Sequence, residues 1–115
     1  MDTKQAVAAL GALAQDTRLQ VFRMLVEQGP DGLPAGTIAE RVGVPSSSLT
    51  FHLQQLLQAG LVTQRRIGRQ IFYAMLPEAM NGLVGYLSEH CCGRAGVLAC
   101  QPSAPRRASG ETSAA

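Results

Sequence analysis

Cys91 and Cys92 stand side by side, and Cys100 follows across Gly93-Arg94-Ala95-Gly96, a run pliable enough to fold back on the pair. They are the chain's only three cysteines and fall within ten residues. Three thiolates that converge make a soft, three-coordinate site. Such a site suits a trivalent thiophilic ion, As(III) or Sb(III), which bonds three sulfurs and keeps a lone pair in place of a fourth ligand. Zn²⁺ ordinarily takes four ligands, and His90 offers the fourth, so spacing leaves both ions open. Arg94 and His90, if close in space, would favour the thiolate forms. A lone cysteine would read as a small buried hydrophobe; three so close together do not. A third use of adjacent thiols is a disulfide switch.

A second set of residues could read DNA. On a helical wheel, Leu49, Leu53, Leu56 and Leu57 gather on one face of the stretch Ser46 to Ala59. Ser47, Thr50, Phe51, Gln54, Gln55 and Gln58 fall largely opposite, and His52 sits near the boundary. A core has no need of that polar and aromatic face. Ser46, Ser47 and Ser48 at the helix start bring hydroxyl and backbone N–H groups within reach of a phosphate. Arg65, Arg66 and Arg69 crowd the tip of a hairpin turned by Gly68. Singly, glutamines on a helix are a solvated face and arginines on a turn keep it soluble. Phe51 is more demanding, because an outward aromatic implies a contact, with a base or with another subunit. Together, a helix that fits the major groove and arginines that meet phosphates or enter the minor groove form one nucleic-acid surface.

Charge placement agrees. Ten basic and eight acidic side chains leave a formal charge of only +2, yet no carboxylate lies between Glu40 and Glu78, where Arg41, His52, Arg65, Arg66 and Arg69 all fall. The chain has 115 residues, enough for one domain with a core of its own and too few for a separate catalytic domain. It has no Cys-x-x-Cys, phosphate loop or base constellation that would make it a thiol enzyme. The alanine-rich run Ala6 to Ala14 is too short to span a bilayer and follows no signal sequence, so a cytoplasmic, reducing location is expected, with no membrane partner.

The elements that position these residues follow from periodicity. Val7, Leu10 and Leu13 give a first helix its apolar stripe. Asp16 reads as the N-cap of a second, with Leu19, Phe22, Leu25 and Val26 inward and Arg18 and Arg23 pointing elsewhere, until Gly29-Pro30 stops it. Pro30 to Gly36 reads as loop. A short third helix runs from Thr37 to Val42, with Ile38 and Val42 on one side. Gly43-Val44-Pro45 turns the chain, Ser46 caps the fourth helix, and Gly60 ends it in a left-handed conformation. The period then changes to that of strands, Leu61 to Ile67 and Arg69 to Leu76. Pro77 opens a last helix with the stripe Met80, Leu83, Val84 and Leu87. Gln101 to Ala115 lacks apolar anchors and reads as disordered. The expected architecture is mainly α with a β-hairpin wing, a winged helix-turn-helix with five helices and the hairpin before the last. Residues 1–92 are expected to form the DNA-binding domain, and 93–115 a flexible tail carrying the third cysteine.

The sequence resembles the ArsR/SmtB family of metalloregulatory repressors over about residues 4 to 92. The resemblance rests on the order of elements and on Asp16-Thr17-Arg18-Leu19, Ile38-Ala39-Glu40, Ser48-Leu49-Thr50-Phe51-His52-Leu53, Ala59-Gly60-Leu61-Val62 and the wing ending Phe72-Tyr73. It implies a homodimer built by the first and last helices, each recognition helix entering a major groove of an imperfectly palindromic operator. Many arsenic-responsive members carry cysteines in the helix-turn-helix, and zinc sensors carry Asp, His and Glu ligands along the last helix. This chain has neither, and its C-terminal cysteines look like the subgroup of arsenic sensors whose site moved there. The resemblance therefore implies a repressor released by As(III) or Sb(III) at Cys91, Cys92 and Cys100, the alternatives being a Zn²⁺, Cd²⁺ or Pb²⁺ sensor or a thiol–disulfide switch.

Overall fold

The computed structural model describes residues 1–91. They fall into two compact units, Met1–Val84 and a second that begins at Gly85. In chain order the helices are α1 (Thr3–Leu13), α2 (Asp16–Gln28), α3 (Ala35–Val42), α4 (Ser46–Gln58) and α5 (Pro77–Ser88); the strands are β1 (Leu33–Pro34), β2 (Val62–Ile67) and β3 (Gln70–Met75). This is the expected winged helix-turn-helix, with one strand more than the sequence announced.

The core of the first unit is built on α2, α3, α4 and the inner ends of the strands: Val21, Phe22, Leu25, Ile38, Leu49, Leu53, Leu56, Leu61, Val62 and Tyr73 are all buried. Burial of these side chains is the main force that sets α4 in place, at roughly 1.5–3 kcal/mol for each large one.

The apolar stripe of the first helix is not what packs on the rest of the chain. The inward face of that helix is Ala6, Ala9 and Ala12, while Val7 is 63% exposed and Leu10 also faces out. α1 packs on both α2 and α4, and alanines allow that close approach where larger side chains would hold the helices apart. Its start lies at a capping box, Asp2 with Gln5. Leu19 of α2 is likewise exposed. The N-cap of α2 is Gln15 rather than Asp16, its Oε1 accepting from the Arg18 N–H at 2.9 Å. Pro45 rather than Ser46 precedes the first turn of α4, and no side chain caps it.

Leu33 and Pro34, read as loop, pair with Tyr73 and Phe72, making a three-stranded antiparallel sheet in the order β1-β3-β2. α3 consequently begins at Ala35, two residues early. Gly32 permits the entry into β1: its φ is 74°, and a Cβ there would run into the Tyr73 carbonyl. Gly60, also at positive φ, ends α4 as expected. The described part of the second unit is the last turn of α5, followed by His90 at φ 59° and the Cys91 N–H donating to the Ser88 carbonyl at 3.0 Å.

Candidate nucleic-acid interface

The turn between α3 and α4 is set by Gly43, at φ 80° and ψ 33°, whose N–H and that of Val44 both close on the Ala39 carbonyl. With Leu49, Leu53 and Leu56 of α4 buried and Leu57 half-buried, its outer face is fixed: Ser46, Ser47, Ser48, Thr50, Phe51 and Gln54 are exposed, and Gln55 and His52 half-buried. Phe51 is 58% exposed. Thr50 Oγ1 donates back to the Ser46 carbonyl at 2.9 Å, so its hydroxyl oxygen remains an outward acceptor. The first turn of α4 contains no acidic residue and no side-chain cap. Its leading N–H groups and the positive end of the helix dipole are thus presented together.

The wing is a hairpin whose two-residue turn, Gly68-Arg69, has Gly68 at φ 63° and Arg69 outside the left-handed region, the pattern of a type II′ turn. Opposed residues share a face. Gln64 pairs with Tyr73 and Arg66 with Ile71, on the side where Val62 and Tyr73 are buried; Arg65 pairs with Phe72 on the other. The three arginines therefore do not act as one cluster. All three are exposed, and Arg65 donates to the Asp31 carbonyl at 3.0 Å, strapping the hairpin to the loop before β1. Between the wing and α4 lies an open groove of about 590 Å³, lined among others by Thr50, Gln54, Gln64, Arg69 and Tyr73. Burial pushes the Tyr73 phenol above its usual range, so it lines the groove as a neutral hydrogen-bonding group.

His52 is placed differently from its neighbours. Its Nδ1 lies 3.2 Å from Nη1 of Arg18, and its ring meets Phe51 edge to face with centroids 5.6 Å apart. Arg18, which the sequence reading had pointing away, also donates from Nε to the Ala12 carbonyl at 2.6 Å. Desolvation, and then the adjacent guanidinium, hold His52 below the usual imidazole range.

A helix-turn-helix domain matches residues 13–65. The transcriptional regulator YgaV of Escherichia coli is 30% identical over 89 residues, 77% of this chain and 88% of the relative. The arsenical resistance operon repressor of Bacillus subtilis is 33% identical over 81 residues, 70% of this chain and 73% of that protein. Among solved structures, the homodimeric winged helix-turn-helix DNA-binding domain of Mb0332 from Mycobacterium bovis, a possible ArsR-family regulator, superposes with a TM-score of 0.61. It is 30% identical, over 76% of this chain and 81% of that one. The chain belongs to the ArsR/SmtB family of winged helix-turn-helix transcriptional regulators. Like its relatives in the family it is a DNA-binding regulator and not an enzyme.

Of the cysteines that an ArsR/SmtB sensor could use, the described residues contain Cys91, half-buried in the turn that closes α5 and disulfide-bonded. Cys92 and Cys100 lie outside the described residues, as does the tail 93–115. Among the described residues no three His, Cys, Asp or Glu side chains converge as a metal site, and no helix is long and apolar enough to cross a membrane.

Proposed function

We propose that this regulator is a cytoplasmic repressor that holds operator DNA as a homodimer when metal-free and lets go when Cys91, Cys92 and Cys100 capture As(III) or Sb(III), derepressing arsenic-resistance genes. The observation that carries the reading is the donor set. All the thiols of the chain lie within ten residues, beginning at the end of α5. A trivalent ion that bonds sulfur and needs three ligands matches that number and softness. The kinship with an arsenical resistance operon repressor supports it.

Homodimerisation is supported by large apolar side chains that are exposed among the described residues. Val7 and Leu10 on α1, and Val84 at 57% exposure and Leu87 on α5, all face out. Two copies joined there would offer paired α4 helices to an imperfect palindrome with half-sites about one helical turn apart. Ser46, Ser47, Ser48, Thr50, Phe51, His52, Gln54 and Gln55 would meet the major groove and its flanking phosphates, and Arg66 and Arg69 the backbone or minor groove, on a wing that Arg65 anchors through the Asp31 carbonyl. Release needs a coupling of about 1–3 kcal/mol between the thiol site and the DNA, a roughly 5- to 150-fold loss of affinity.

The disulfide at Cys91 favours a second reading, a thiol–disulfide switch in the same segment. Operator gel shifts with protein that is first reduced and then freed of reductant separate the two. Release by arsenite, lost in Cys92→Ser, supports the first. Release by peroxide with arsenite inert supports the second and defeats the first.

A further inference from the structure

Arg18 lies on the first turn of α2, and its side chain touches both α1 and α4. The last carbonyls of a helix have no partner in the helix's own ladder, and α1 has no basic residue in its last turn. Arg18 supplies the missing cation from the next helix, its Nε donating to the Ala12 carbonyl at 2.6 Å. The other arm of the guanidinium reaches His52 Nδ1 at 3.2 Å, in the middle of α4. The Arg18 N–H is itself held by the Gln15 side chain, so the fork starts from a fixed backbone.

The chemistry of this contact decides the state of the imidazole. A guanidinium has donors and no acceptor. His52 must therefore accept at Nδ1 and carry its proton on Nε2, which leaves one N–H donor for the outer side of α4. Protonation would add a proton to Nδ1, facing a cation. Among the described residues Arg18 is the charged group that acts on this ring; α1 contributes the uncharged Ala12 carbonyl, and Phe51 on α4 is apolar. Through the edge-to-face contact, the ring that Arg18 fixes also supports Phe51, the most exposed large apolar side chain on α4.

We propose that Arg18 is the positioning residue of the recognition helix, tying α4 to the C-terminal end of α1 and holding His52 as the neutral Nε2–H tautomer beside Phe51. The inference rests on the DNA-binding reading of α4 and makes operator affinity depend on a residue of α2 that acts through His52. It also gives affinity a pH dependence of unusual sign. A histidine merely close to phosphates binds more tightly as it gains charge; here acid breaks the Arg18 contact and loosens binding.

The test uses the full-length protein, first without DNA. Long-range proton–nitrogen spectra report the His52 ring nitrogens between pH 5.5 and 8.0 for wild type and Arg18→Ala, with thermal melts as a check on folding. Affinity is then measured by anisotropy on a duplex selected from random-sequence DNA by the wild-type protein. Expected are the Nε2–H pattern in wild type, lost in Arg18→Ala with His52 titrating at higher pH, and an affinity loss of about tenfold at pH 7.5. Arg18→Lys, one point charge without the fork, restores only part of this. Wild-type affinity falls on acidification, and the fall disappears in His52→Gln, which does not titrate. A wild type that binds more tightly at pH 5.5, or an unchanged ring pattern in folded Arg18→Ala, overturns the proposal. If the selection recovers no duplex, the DNA-binding reading fails, and the ring spectra still decide the clamp.

Discussion

Replacing each wing arginine in turn distinguishes a residue that builds the wing from one that binds DNA. Arg65 spends a hydrogen bond on the Asp31 carbonyl, while Arg66 shares the sheet face of Gln64, Ile71 and Tyr73, which line the groove beside α4. If Arg66 neutralises one phosphate per subunit, Arg66→Ala removes two contacts from a dimer. Each contact contributes about 0.9 to the slope of log affinity against log salt, so the slope flattens by about 1.8. Between 50 and 200 mM salt, the gap between wild type and variant then shrinks by a factor of about 4 to the power 1.8, roughly tenfold. Arg65→Ala instead loses about 0.5–1.5 kcal/mol of wing anchoring, which lowers affinity with a smaller change of slope. Anisotropy titrations at four salt concentrations measure both. Parallel lines for wild type and Arg66→Ala would refute the phosphate contact, and an Arg65→Ala slope as flat as that of Arg66→Ala would refute the division of labour.

Gly32→Ala should cost more than about 2 kcal/mol, from strain at positive φ plus collision with the Tyr73 carbonyl. Gly68→Ala, at positive φ but in open space, should cost about 1 kcal/mol; urea melts compare them. Because the folded chain holds His52 below its ordinary value of 6.5, its unfolded state binds the proton more readily. The stability from neutral His52 is complete above about pH 6.5 and is lost as pH falls toward the lowered folded value, so wild type should lose more thermal stability than His52→Gln on going from pH 7.5 to 5.5. Val7→Glu combined with Val84→Glu should halve the mass seen by light scattering and leave the circular dichroism of the folded chain intact; a dimer that survives both would place the interface elsewhere.

Much of this fold was legible because its signals are strong: the leucines of α4, the Gly60 stop, Gly68 in the hairpin and Pro77 opening α5 each leave one local solution. β1 was not, since two residues display no period and Leu33-Pro34 becomes a strand only by pairing with β3. The stripe of α1 was legible but the face it packs with inside the chain was not, because apolar periodicity marks a stripe without saying what covers it. Val7 and Leu10 are exposed, while the intramolecular contact fell to alanines, which carry little hydrophobic signal. The outward face of α4 was legible by subtraction, being what its core did not use. The role of Arg18 was not, since its partners Ala12 and His52 lie six and 34 residues away and only the fold brings them together. The thiols of the proposed site stand out in the sequence by count and spacing alone.

The central claim joins a thiol site at the end of α5 to DNA held by α4, and one titration bears on both. Reduced full-length protein on labelled operator is titrated with arsenite while anisotropy and sulfur-to-arsenic charge-transfer absorption are read from the same cuvette. The account predicts that absorption saturates at one As(III) per three cysteines, with operator release following the same curve and both signals lost in Cys91→Ser or Cys92→Ser. Saturated absorption with the operator still bound, or release with no thiolate absorption, would contradict it.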